Sequence, residues 1–221
     1  MNTQANEFVA EQMKWAGRIQ GEQAVKALKK NYFDAHYFET PSEVVAEVLK
    51  YVNKGSLVAF GGSQTARQLN LQYLVQEKGA VLLDHNAQGL SPDEKMEVMR
   101  RQLMCDVFIC SSNAISMQGE LYNVDGNGNR VAAMTFGPKK VIVIAGVNKL
   151  CLNEDAAWQR IKMIAAPVNF KRLNRPNPCV QTGVCMDCHI PTRGCNIYVA
   201  FRRKPATTDM SVFIVNETLG F

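Results

Sequence analysis

The sequence lacks the features that would place it in a membrane or mark it for export. No apolar run approaches the roughly 20 residues of a membrane-spanning helix, and the longest, Val141 to Val147, has Gly146 inside it. The first twenty residues carry Glu7, Glu11, Lys14 and Arg18 through a helical pattern, which is no signal-peptide core. Charge is mixed and mild. A net charge of +5 without a concentrated basic stripe argues against nucleic-acid binding, while permitting an anionic small molecule or an acidic partner protein. The glycine loop at Gly61 has neither the lysine of a Walker loop nor the full dinucleotide fingerprint. These absences together predict a cytoplasmic protein with no membrane span.

What remains is a chain of 221 residues, 47% hydrophobic and 20% charged, long enough for one α/β domain with a good core and a small appendage. Short apolar runs at Ser56 to Phe60, Ala80 to Asp84, Asp106 to Cys110 and Val141 to Ala145 alternate with helical patterns. Such alternation predicts a mostly parallel sheet flanked by helices. Thr40-Pro41-Ser42-Glu43 and Ser91-Pro92-Asp93-Glu94 read as capping boxes with proline at the first helical position. Thr3 to Lys30 reads as an amphipathic helix broken near Gly21, with Trp15 on its buried face. Asn153 starts a helix to about Ala165, which Pro167 should end or bend. Ile197 to Phe201 and Ser211 to Val215 read as final strands. The expected division is an α/β domain over 1–173, a Cys-rich loop over 174–195, and terminal strands over 196–221 completing the same domain.

Chemistry-bearing residues concentrate where strands end. Ser111 to Lys149 packs turn-forming residues between β-rich runs, predicting a small β-meander crossing the sheet's edge. Asn113, Asn123, Asp125, Asn129 and Arg130 are its candidate ligand contacts, although Asn-Gly and Asp-Gly turns need these residue types in any case. Arg130 can hold a carboxylate or phosphate in a two-pronged grip, or clamp Glu120 structurally. Gly61-Gly62-Ser63-Gln64-Thr65 reads as strand, glycine loop and helix. Its free amides and its Ser63 and Thr65 hydroxyls suit an anion, or they make a capped tight turn. His85 and Asn86 follow the next strand, as a base or as loop filler. Lys149 can pair with an anionic substrate or form an imine; a solvated lysine is the plainer reading.

SNAIS, GELYNVDGNGNR, FGPKKVIVIAG and NK, in that order, resemble the LUD-domain family named for lactate utilisation, whose best-known member is the LutC-type subunit of a bacterial lactate-oxidising system. The likeness runs from Phe8 to Asn196. It implies the α/β fold of the ribose-5-phosphate isomerase, glucosamine-6-phosphate deaminase and CoA-transferase superfamily. In that superfamily a carboxylate near this part of the sheet serves as base or nucleophile, which marks Glu120 beside the reading of a solvated or paired glutamate. GGSQT likewise resembles the superfamily's ligand loop. Lactate-utilisation systems are associated with iron–sulfur centres, mainly in partner subunits.

Cys179, Cys185, Cys188 and Cys195 form a second constellation, C-x5-C-x2-C-x6-C, in loop-like sequence. Without an export signal they read as thiols or metal ligands rather than disulfides. An iron–sulfur cluster ranks first, structural zinc second and free thiols third, with His189 as a substitute ligand. Cys105, Cys110 and Cys151 read as core packing. Two functions follow: a subunit of a cytoplasmic redox system for lactate or a related small organic acid, with redox partner subunits; or a stand-alone isomerase- or acyl-transferase-like enzyme with Glu120 as base or nucleophile and a structural zinc. A regulatory ligand-binding protein is a third.

Overall fold

A computed structural model describes residues 2–221 of the chain. It opens with α1 (Asn2–Lys30), β1 (Asp34–Phe38), α2 (Pro41–Lys50), β2 (Leu57–Phe60), α3 (Gln64–Gln68), α4 (Leu71–Glu77), β3 (Val81–Leu83), α5 (Pro92–Gln102) and β4 (Val107–Cys110). There follow β5 (Ala114–Ser116), β6 (Leu121–Asp125), α6 (Asn129–Thr135), β7 (Lys140–Gly146), β8 (Leu150–Cys151), α7 (Glu154–Arg160), α8 (Ala166–Arg172), α9 (Cys179–Thr182), β9 (Ile197–Phe201) and β10 (Met210–Val215).

Six strands form one sheet in the order β1-β10-β7-β4-β2-β3, every pair parallel. β4, β7 and β10 are buried along their whole length, as continuous apolar runs in a sheet covered on both faces must be. One face packs Ile142, Ile144, Phe213 and Val215 against Val44 and Val48 of α2 and Leu71 of α4. The other packs Val143 and Val212 against Val25 and Leu28 of α1 and against Ile115, Leu121 and Phe201. The expected mostly parallel α/β sheet is what the chain forms.

The expected β-meander is more than an edge decoration. β5, β6, β8 and β9 make a separate four-stranded sheet, β8-β5-β6-β9, mixed in direction. A third apolar cluster, including Ala114, Tyr122, Ala157, Ile161 and Phe170, joins it to α7 and α8. The two final strands therefore part company: β9 completes the small sheet, whereas β10 lies between β1 and β7 in the large one.

Both capping boxes form as read, at Thr40 and Ser91, and Asn153 caps α7. Pro167 does not end the following helix. A π stretch at Ile161–Ala165 precedes it, and the wider turn takes up the register where proline has no N–H to offer. Gly21 does not break α1 either. A Cβ there would stand 2.8 Å from the Tyr37 ring, so its missing side chain is what lets the helix lie against β1. Trp15 is 58% exposed, contrary to expectation, because α1 runs out past the sheet and only its second half has a surface to pack on. No helix among the described residues is long and apolar enough to cross a membrane.

Candidate functional site

The carboxyl ends of β2, β3, β4 and β7 deliver Gly61-Gly62, His85-Asn86, Ser111 to Asn113 and Lys149 to the rim of one cleft of about 440 Å3. From β2 the chain crosses to β3 on one side and returns to β4 on the other. A crevice at such a reversal of strand order is where open α/β sheets hold ligands. The opposite wall comes from the end of β6 and the start of α6 (Asp125 to Arg130), from α8 and the segment after it (Asn169 to Arg175), and from Gly194 and Cys195.

In the glycine loop, Ser63 caps α3 by accepting from the Ala66 amide at 3.2 Å. Gly62 has φ +69°, and nothing stands within 4 Å of where a Cβ would be, so its backbone borders open space. Thr65 is buried and donates to the Leu219 carbonyl at 3.2 Å. The helix begun here breaks at Asn70, which adopts a left-handed conformation, so α3 and α4 replace the single helix expected.

Arg130 is the hub of the far wall. Its guanidinium donates to Asp125 Oδ1 at 2.9 and 2.6 Å, to the Ser111 carbonyl at 2.9 Å, to Asn113 Oδ1 at 2.9 Å and to the Val124 carbonyl at 3.2 Å. Asp125 also caps α6 by accepting from the Val131 amide at 3.0 Å. The turn chemistry that made these residues ambiguous is thus spent on holding one arginine. α6 emerges from the turn-rich tract between the two central strands, where Asn129 and Arg130 read as turn residues, and its N-cap is the left-handed Gly128.

Lys149 is no solvated lysine. It closes a 3-10 turn after β7 and is only 4% exposed, and its Nζ donates to Ser111 Oγ at 2.9 Å and Thr65 Oγ1 at 3.2 Å. Burial first, then the neighbouring Arg160 and Arg130, pull its ammonium down to about 7. His85, in the same cleft, is also held below its usual value by burial, with Gln102 Nε2 at 3.0 Å from its Nδ1.

Three expected contacts stand apart from the cleft lining, the first being Thr65, which is buried behind it with its hydroxyl on Lys149 and the Leu219 carbonyl. Glu120 does not line the cleft: the carboxylate belongs to the small sheet, where Tyr122 and Ser116 donate to Oε2 and Arg202 donates to Oε1 at 3.0 Å. Arg202 also pairs with Glu154 at 2.7 Å, so this residue, just after β9, ties that strand to α7. Asn123 is fully buried with both side-chain polar atoms unpartnered among the described residues, and it too lies away from the cleft lining. Gly61, Gly62, Ser63, Asn113, Asp125, Asn129, Arg130 and Lys149 do come together.

Sequence reading missed Arg67, Lys95, Arg172 and Arg175 as members of this site. Arg172 lies past Pro167, where the sequence leads one to expect a helix end, and with Arg175 it reads as part of a basic field around the cysteine loop; the continuation of α8 is what turns it to the cleft. Burial and then the nearby Arg67 lower the Arg172 guanidinium, so two cations share one wall.

The cysteine loop borders the cleft. Cys195 lines it and also lines a second cavity of about 560 Å3, with Cys185, Trp158, Lys162 and Tyr198. Burial and then the thiols of Cys185, Cys179 and Cys188 push Cys195 up to about 11, which marks the four as neighbours. They remain free thiols, and among the described residues no three His, Cys, Asp or Glu side chains are grouped to hold a metal ion. As arranged, the loop gathers soft donors without forming the ligand set of a cluster or a zinc ion.

The family model for the LUD domain matches residues 21–215. No curated protein matches the chain. Among solved structures, a DUF162 family protein from Deinococcus radiodurans is 13% identical, with 88% of this chain and 94% of that one covered and a TM-score of 0.47. The beta subunit of eIF2B from Chaetomium thermophilum is 15% identical over 52% of this chain and 44% of that one, with a TM-score of 0.33. Ribose 5-phosphate isomerase from Plasmodium falciparum is 20% identical over 51% and 53%, with a TM-score of 0.30. The chain thus spans about half the length of the last two.

Proposed function

The chain belongs to the LUD-domain family, and on that premise we propose that it binds a small organic acid, lactate or a close relative, as one subunit of a redox system. The observation that supports this reading is the charge of the cleft. Arg67, Lys95, Arg130, Lys149, Arg172 and Arg175 line it, and the one acidic side chain lining it among the described residues, Asp125, is already held by Arg130. Cations left without counter-charges in a recess favour an anion, and the Gly62 backbone allows that anion a close approach.

Isothermal titration of lactate into the full chain tests it, with inorganic phosphate and ribose 5-phosphate as rivals. Lactate should bind, more weakly as salt rises, and Arg175→Gln should weaken it about fivefold, on the order of 1 kcal/mol. Binding of the sugar phosphate alone would overturn the organic-acid reading and favour an isomerase-like one. In that case the chemistry would have to pass to Lys149, because Glu120 is engaged elsewhere.

For the cysteine loop, the donor chemistry supports an iron–sulfur cluster or zinc, but the arrangement does not, and no redox step is assigned to it. Metal and acid-labile sulfide content of oxygen-free protein decides the matter. About four iron and four sulfide per chain would mean that the loop closes around a cluster. Zinc without sulfide would make it structural.

A further inference from the structure

We infer that the Lys149 amine is a covalent acceptor for a carbonyl-bearing small acid, a 2-oxo or aldehyde carboxylate, which it captures as an imine at the floor of the cleft. The inference rests on the reading of the cleft as an organic-acid site and names the substrate class that its floor fits.

The partners of Lys149 are the first support. A buried ammonium ordinarily meets a carboxylate, but Lys149 Nζ meets the Thr65 and Ser111 hydroxyls and forms no ion pair among the described residues. A hydroxyl can accept from an ammonium or donate to a free amine, so these partners suit both protonation states. The second support is the distribution of cations around it. Arg130 is on the wall beside Lys149, and Arg160 behind it spends its guanidinium on the Asn148 and Asn113 carbonyls at 3.0 and 2.6 Å. An amine flanked by guanidinium groups gives up its proton more readily, and those same charges attract the carboxylate of an incoming acid. The lowered value of Lys149, about 7, agrees with this geometry.

The step balances within the site and its water. The Nζ lone pair attacks the carbonyl carbon, and the carbonyl π pair moves to oxygen, which takes a proton released from Nζ through the Ser111 hydroxyl. The carbinolamine then loses that oxygen as water, using the remaining N–H proton, and a C=N bond joins Lys149 to the acid. No oxidant or reductant enters.

Trapping tests it. The full chain is incubated with pyruvate as the 2-oxo acid probe and with borohydride, whose hydride adds to the imine carbon and fixes the adduct as a secondary amine. One adduct per chain is expected, on the peptide carrying Lys149. Excess lactate should suppress it in the native chain, and Lys149→Arg should abolish it. Should the variant fail to fold, lactate protection and peptide mapping on the native chain still decide. Pyruvate that binds by titration yet leaves Lys149 unlabelled would overturn the imine while leaving the acid-binding cleft intact. Labelling spread over surface lysines and indifferent to lactate would overturn it as well. Absence of both binding and adduct for pyruvate and lactate would take down the acid-binding reading along with it.

Discussion

Replacing Arg130 with methionine will destabilise the fold by about 3–5 kcal/mol, the range for stripping one partner from a buried ion pair. The side chains of Arg130 and Asp125 are 13% and 8% exposed, so neither charge has water to fall back on. After the substitution Asp125 keeps the Val131 amide but loses both guanidinium bonds. The loss is not confined to the pair. Through Ser111, Asn113 and Val124, Arg130 bonds to segments at the end of β4, the start of β5 and the end of β6, so it fastens the small sheet to the large one. Chemical denaturation should show a lower midpoint with an unchanged slope. Asp125→Asn combined with Arg130→Met should cost less than the two single changes summed, since the second removes the charge that the first left stranded. A cost below about 1 kcal/mol for the single variant would place the pair in solvent and dissolve the case for an enclosed cleft.

What could be read from the sequence divides along physical lines. Thr40, Ser91 and Asn153 were legible as caps because a cap is satisfied by amides within three residues of it. β4 and β7 were legible because a strand covered on both faces has no polar face to confuse the pattern. The small sheet's independence was not. β6 pairs with β9, and nothing local tells β9 to leave the sheet that β10 enters. Glu120 shows the same limit for a site residue: its side of the turn is settled by Arg202, eighty-two positions away. Lys149 follows a strand as a solvated lysine would, and its burial depends on Thr65 and Ser111, brought over from the ends of two other strands. The binding edge was readable because every parallel strand ends there; which of its residues face inward was set by remote partners.

The stability of the chain will rise with pH between about 7 and 10.5, and replacing Lys149 with methionine will flatten that rise. The folded state holds the Lys149 amine near 7, well under its ordinary value of 10.5. Between those limits the unfolded chain binds a proton that the folded chain does not, so raising the pH favours folding throughout the window. Below 7 both states carry the proton, and the folded state bears the whole cost of an ammonium buried between Arg160 and Arg130, which the Cys110 thiol offsets only in part. At about 1.4 kcal/mol per unit, that cost is on the order of 5 kcal/mol at pH 6. Lys149→Met should therefore be the more stable chain at pH 6, by somewhat less than this because two hydroxyls lose a partner, and the gap should close toward pH 10. Urea midpoints of both chains across that range measure it, and parallel curves would show that Lys149 titrates as an exposed lysine does. A fold that keeps so expensive a lysine, where methionine would serve the packing, points to chemistry at that nitrogen. Lactate sharpens the point: a carboxylate beside Lys149 offsets the cations that depress it, so bound acid should stabilise the chain more at pH 6, where the ammonium needs a counter-charge, than at pH 9, where the free amine does not.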